Sequence, residues 1–216
     1  MSIQSRFTPQ DLERIKAAVH KAEDKISGEI VPVFVERSGH YSIATYRGFL
    51  AMAGLAFFAI IVFDRYIPSL AIYDPLLIFF MVTLVGLIGA LATSYIDPIK
   101  RLLLSQQLMD QATRKRAENA FLEEEVFNTR HRTGIMIFIS FFEHEVIVMA
   151  DRGISKVVDQ KEWDTMVRGI TGNIRMGKVA DGIEAAILRS GEILLEKGFL
   201  KTVDDVNELR DDLRME

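Results

Sequence analysis

The chain has 216 residues, 49% of them hydrophobic and 26% charged, with a formal net charge of −4. High apolar content at low net charge excludes a disordered chain, and the absence of cysteine excludes disulfide scaffolds, thiolate metal sites and cysteine nucleophiles. The two populations are segregated: 48–96 holds only Asp64, Arg65 and Asp74 as charges, so the rest has the composition of a well-solvated domain.

The first 24 residues are charged and lack the apolar core of a signal peptide, so no export is expected. Thr8-Pro9 then predicts a helix start, with Thr8 as cap and Pro9 in the first turn. Leu12, Ile15, Ala18, Val19 and Ala22 supply the helical stripe, which ends near Ser27-Gly28. Residues 29–36 predict a strand, and Pro32 within it predicts an edge position or a bulge.

Residues 48–63 carry no charge over about 16 positions, roughly 24 Å as a helix, which Arg47 can extend by snorkelling and Tyr46 at the interface. Residues 75–96 carry none over about 22, a full span, with Gly86, Gly89 and Ala90 as small packing positions. Tyr66 and Tyr73 bracket the connection as interfacial aromatics. Basic residues flank the pair at Arg37, Arg47, Lys100 and Arg101, against the single Arg65 between the spans. The positive-inside rule therefore predicts a two-pass protein of the plasma membrane with both termini cytoplasmic.

Asp97-Pro98 predicts another helix, running toward Asn128 with a break at 114–116. The β-rich runs 134–142 and 145–150 flank a polar turn at Glu143-His144 and read as a hairpin. Asp159 caps a helix containing Trp163, residues 172–177 read as a break, and a final helix from Val179 stops at Gly198. An acidic tail, 204–216, follows. One strand precedes the apolar pair and two follow it. The simplest fold is one α/β sandwich assembled from 1–47 and 97–203, with the transmembrane hairpin (48–96) inserted in its second helix.

Candidate chemistry is sparse. Asp151-Arg152-Gly153 follows a strand end, a common ligand position in α/β sheets; the other reading is a turn that uses Asp and Gly for capping and backbone angles. Glu29, Asp159 and Asp181 would complete an oxygen-ligand cluster for Ca²⁺ or Mg²⁺ if they converge with Asp151, but Asp at a helix start is commonly a cap. Arg130 and Arg132, with His131, suit a phosphate or a carboxylate, or else anionic lipid or pairing with Glu123–Glu125, the readings favoured here. Arg114, Lys115 and Arg116 suit a solvated helix face or lipid headgroups. No nucleic-acid partner is expected at this charge. The four histidines show no zinc spacing, and no P-loop or nucleophile elbow is present.

An ordered set of strings resembles one family. These are Ala22-Glu23, Ser27-Gly28-Glu29-Ile30, the run from Arg130 and Arg132 through Gly134 to Ile137-Phe138-Ile139-Ser140, and Ala150-Asp151-Arg152-Gly153-Ile154. Trp163, Gly177 with Ala180-Asp181-Gly182-Ile183, and Asn207-Glu208-Leu209 follow. Together they resemble the TPM domain, shared by a thylakoid-lumen protein, a photosystem II repair protein and an acetylcholine-receptor modulator, and they are most similar to its bacterial membrane-protein branch. The resemblance implies an α/β sandwich with a short mixed sheet flanked by helices. It also implies three possible roles: acid phosphatase, calcium binder, or interaction and assembly factor. The N-terminal motif of exported members, an Asp-Asp followed by a Gly-Leu type turn, is missing here. The reading favoured is a non-enzymatic interaction or assembly factor at a membrane surface, with the lipid bilayer and a membrane protein as partners. The alternatives are a divalent-metal phosphatase and a small-ligand or metal sensor.

Overall fold

The computed structural model describes residues 6–67, 69, 71–201, 209 and 213–215. The chain divides into two compact units, one made of 1–38 with 110–216 and the other of 39–109.

The first unit opens with α1 (Pro9–Glu23). Thr8 and Asp11 close a reciprocal capping box: the Asp11 N–H donates to Thr8 Oγ1 at 3.1 Å and the Thr8 N–H to Asp11 Oδ2 at 2.9 Å. The buried stripe is Ile15, Ala18, Val19 and Ala22, as the periodicity predicts. Strand β1 (Glu29–Val35) runs parallel to β2 (Gly134–Ser140), in register from Glu29↔Gly134 to Val35↔Ser140. Strand β3 (Glu145–Ala150) returns antiparallel to β2, so the predicted hairpin is present. A two-residue strand, β4 (Arg214–Met215), adds to the other side of β1 at Val33 and Phe34, giving a mixed sheet in the order β3-β2-β1-β4.

Both faces of this sheet are covered, which is why β2 is a continuous apolar run without alternation. Ile30, Phe34, Ile135, Ile137 and Ile139 pack with α1, α7 (Gln160–Arg175) and α8 (Val179–Glu196). Val31, Val33, Met136 and Phe138 pack on the other face with Ala117 and Ala120 of α5 (Gln106–Glu123).

Four expectations change. Pro32 lies in an inner strand. The Glu29 N–H donates to the Thr133 carbonyl beside β2, and the Ile30 N–H donates to Glu23 on the opposite side. Strand alternation puts the nitrogen of Pro32 on the Ile30 side, short of the level at which β4 joins. The sheet therefore loses no ladder bond there.

The helix after the apolar pair breaks at 103–105, between α4 (Asp97–Leu102) and α5, where Leu104 bonds back to Arg101 and Ser105 accepts from Leu108 and Met109. It does not break at 114–116. Neighbouring positions on a helix do not face each other, and Arg114 and Arg116 pair with Glu118 and Glu123 along α5. Gly169 and Gly172 lie inside α7, and the chain turns at Gly177, whose φ of 75° suits glycine. Part of the predicted acidic tail is strand β4. The rest of 204–216, apart from residues 209 and 213, lies outside the described residues, as do Asn207 and Glu208 of the family strings. A short helix not predicted, α6 (Arg152–Ser155), follows β3.

The second unit holds α2 (Ser42–Tyr66) and α3 (Pro75–Tyr95), both long and apolar enough to cross a membrane. Asp74 caps α3 by accepting from the N–H groups of Leu76 and Leu77. The helices approach closely where Gly48 meets Thr93 and Gly89, and where Gly86 lies under the Phe49 ring.

Candidate functional site

At the end of the sheet where β1 and β2 begin and β3 finishes stand Glu29, Gly134 and Asp151. Asp151 is 5% exposed. Its Oδ1 accepts the Arg152 N–H at 2.7 Å, capping α6. Its Oδ2 lies 3.2 Å from Arg132 Nε, an ion pair in which no N–H points well enough at the oxygen to make a hydrogen bond. Arg132 adopts a left-handed φ of 59°, donates from Nη1 to the Phe127 carbonyl at 2.6 Å, and lies over the Phe127 ring. The positive charge beside Asp151 is thus supplied by the chain's own arginine, where a cluster for Ca²⁺ or Mg²⁺ would need a cation.

Gly153 does permit a close backbone approach, and what approaches is the 130–133 loop. A Cβ there would stand 2.5 Å from the Arg132 carbonyl oxygen and 2.7 Å from that of His131. Thr133 fastens the same loop by donating from Oγ1 to the Ser27 carbonyl at 2.6 Å. Arg130 is exposed on it.

The other proposed carboxylates stand elsewhere. Asp159 caps α7, its Oδ1 accepting the Lys161 N–H at 3.0 Å. Asp181, in the first turn of α8, pairs with Arg14 at 2.9 Å. Arg14 also binds Glu184 and faces Asp11, so its guanidinium is held above its ordinary pKa by hydrogen bonds to Asp181 and Glu184. Helices α7 and α8 are antiparallel, with Glu162 beside Lys197 at one end and Asn173 against Gly182 at the other. A 16-residue helix spans about 24 Å, which separates Asp159 from Asp181. Among the described residues no group of three or more His, Asp or Glu side chains is placed to hold a metal ion. Arg114 and Lys115 are exposed on α5, and Arg116 is half-buried.

The opposite end of the sheet, at the carboxyl ends of the parallel strands, carries a polar network that the sequence reading missed. The Ser38 N–H donates to Glu143 Oε1 at 2.9 Å, Ser38 Oγ donates to Ser140 Oγ at 2.9 Å, and Ser140 Oγ donates to Glu143 Oε2. Ser140 and Glu143 are each 1% exposed. The network locks the turn after β1 onto the β2–β3 hairpin, with both carboxylate oxygens satisfied. Glu145 stands beside it. Burial holds its carboxyl above the ordinary value, a hydrogen bond from Thr113 opposes that, and Asp110 and Glu143 add like charge. The available signal was two polar residues three apart, Ser140 and Glu143, closing an apolar run.

A groove of about 590 Å³ runs between α7 and α8. Met166, Ile170, Ala186 and Ile193 form its floor, with Lys161 and Arg189 at its rim. The volume is within the range of ligand pockets.

Comparison with known proteins places this architecture. The NMR structure of the BA42 protein from the psychrophilic bacterium Bizionia argentinensis sp. nov. is similar in fold. The TM-score is 0.58 at 17% identity, over 96% of this chain and 94% of that one. None of the curated proteins matches in sequence. The model of the TPM domain matches from the end of α4 through α5, the β2–β3 hairpin, α6, α7 and most of α8. The match covers residues 101–193 of this chain.

Proposed function

We propose that this chain is a two-pass plasma-membrane protein with both termini cytoplasmic, whose TPM region works as a non-enzymatic interaction or assembly factor at the membrane surface. The observation that carries the membrane part is the outward apolar surface of α2 and α3. Leu50, Leu55, Phe57, Phe58, Phe79 and Phe80 are all exposed. Each large apolar side chain left in water forgoes about 1.5–3 kcal/mol, whereas lipid tails accommodate it. The orientation rests on Arg37, Arg47, Lys100 and Arg101 flanking the pair.

The non-enzymatic part is supported by the roles the candidate carboxylates already fill: Asp151 and Asp159 as caps, Asp181 as an ion-pair partner. The α7–α8 groove offers an apolar surface suited to recognition.

Extraction of membranes at alkaline pH leaves the full chain in the pellet if the hairpin spans, and release into the supernatant overturns that part. A phosphatase reporter fused after Glu216 is expected to be inactive. An active fusion reverses the orientation. Purified full chain is expected not to hydrolyse an aryl phosphate with Mg²⁺ or Ca²⁺. Turnover that disappears in Asp151→Ala would make the phosphatase reading the correct one.

A further inference from the structure

We propose that α4 and the base of α2 form a binding surface for the headgroup of an anionic phospholipid. The proposal rests on the membrane reading above and goes beyond it by naming a lipid class and the residues that select it.

Helix α4 directly follows the apolar α3. Its exposed apolar side chains are Ile99 and Leu102, whose spacing of three puts them on one side; Ile96 and Tyr95, just before the helix, are also exposed. Leu102 is 83% exposed and Tyr95 82%. A short helix with such a face lies in the plane of a bilayer, its apolar side at the acyl boundary.

Cations gather around it. Arg47 of α2 donates from Nη1 to the Leu103 carbonyl at 2.7 Å, which brings an exposed guanidinium to the end of α4. Arg101 stands on α4 about 160° around the helix from Leu102's neighbour Ile99, by the 100° step per residue. Lys100, 6% exposed, has its Nζ 3.5 Å from the Ser94 carbonyl at the end of α3. Asp97 is the one acidic residue on α4. Three positive charges against one negative, at the level where an interfacial helix meets headgroups, are complementary to a lipid of net negative charge. A zwitterionic lipid offers the same phosphate with its charge cancelled. Arginine's fork of donors suits that phosphate, while the exposed Ile99 and Leu102 lie against the acyl chains.

The chain has no cysteine, so Tyr95→Cys gives a unique position for a fluorophore on the full-length protein. The labelled protein is reconstituted in vesicles containing brominated phosphatidylglycerol or brominated phosphatidylcholine. Phosphatidylglycerol is expected to quench at a mole fraction lower by about 25-fold. Replacing both Arg47 and Arg101 by Gln is expected to erase the difference, at about five-fold for each basic side chain lost. Replacing both by Lys, which keeps the charge, is expected to retain most of it and so separates charge from any loss of the Leu103 bond. Equal quenching by the two lipids in the parent overturns this proposal and leaves the membrane reading standing. A preference that survives the double Gln replacement overturns the assignment to these arginines. Absence of quenching by either lipid overturns both readings.

Discussion

Gly48 and Gly89 meet across α2 and α3 with no side chain between them: a Cβ on Gly89 would stand 2.5 Å from the Gly48 carbonyl oxygen. On Gly48 it would stand 2.9 Å from the Gly89 carbonyl oxygen and overlap Thr93 Oγ1. Gly48→Ala is therefore expected to destabilise the hairpin by about 1–3 kcal/mol, the usual range for overpacking. Gly54 on the same helix has open space around it, so Gly54→Ala is expected not to destabilise the hairpin and to gain up to about 1 kcal/mol through helix propensity. Titration of the purified chain from mild detergent into dodecyl sulfate compares the two. Equal midpoints would show that the close crossing does not hold the helices together.

A second glycine pair tests the loop beside Asp151. Gly153→Ala drives a methyl into the carbonyls of Arg132 and His131 and is expected to lower stability by about 1–3 kcal/mol. Gly169→Ala sits inside α7 with nothing within reach of its Cβ and is expected to raise stability by up to about 1 kcal/mol through helix propensity. Opposite shifts in thermal midpoint are the expected result. A stabilising Gly153→Ala would mean that the loop yields freely.

The cap assigned to Asp159 separates a structural role from a ligand role. Asp159→Ala removes the acceptor for the Lys161 N–H and should cost about 1 kcal/mol, while Asp159→Asn keeps an acceptor of similar capping strength and should leave stability nearly unchanged. Urea midpoints of the three proteins check this. Destabilisation of similar size in both variants would show that the charge matters more than the cap.

Glu145 makes a prediction about pH. Its carboxyl is held above the ordinary value of 4.5, first by burial. The folded state therefore keeps that proton to a higher pH than the unfolded state does. The resulting stability is fully present below about pH 4.5 and lost as pH rises through the higher folded value. Glu145→Gln removes this dependence. The variant's advantage in urea midpoint should be absent in acid, appear as pH rises above 4.5, and level off once pH has passed the higher folded value. An advantage that shrinks with rising pH would contradict the burial argument.

Ser140→Ala removes a donor to the Glu143 carboxylate, which is buried. A buried charged acceptor left short of a partner costs about 1–3 kcal/mol. Ser38→Ala removes a hydroxyl one bond further from that carboxylate and keeps the Ser38 N–H on Glu143, so it should cost less. The order of the two urea midpoints is the check, and a larger loss for Ser38→Ala would place the weight of the network elsewhere.

What the sequence made legible was local. The Thr8 cap of α1, the β2–β3 hairpin, the Asp159 cap and the stop at Gly198 each rest on residues a few positions apart, and each stands where the pattern predicts. What it hid was non-local. Strand β4 is two residues long and has no periodicity of its own; the free side of β1 recruits it. The break before α5 falls at Leu103-Leu104-Ser105, with no glycine or proline to mark it. The Ser38–Glu143 bond joins residues 105 positions apart, so neither residue carries a local sign of the other. The carboxylates singled out as ligands looked equivalent in sequence because a cap and a ligand use the same side chain at the same kind of position.

The register of β1 on β2 also sets an order of events during synthesis. Glu29–Val35 leaves the ribosome first, yet the strand it pairs with is translated after α2, α3, α4 and α5. At about 5–20 residues per second, a separation of 105 residues is a wait of roughly 5 to 20 s. Throughout that interval an apolar strand has no partner, and Pro32 and Glu23 blunt only the side that will later face β4. The side reserved for β2 stays open until Ser140 has emerged. The vulnerable species in the life of this protein is therefore its own nascent chain, and substitutions that slow completion of β2 should reduce yield more than they reduce the stability of the finished fold.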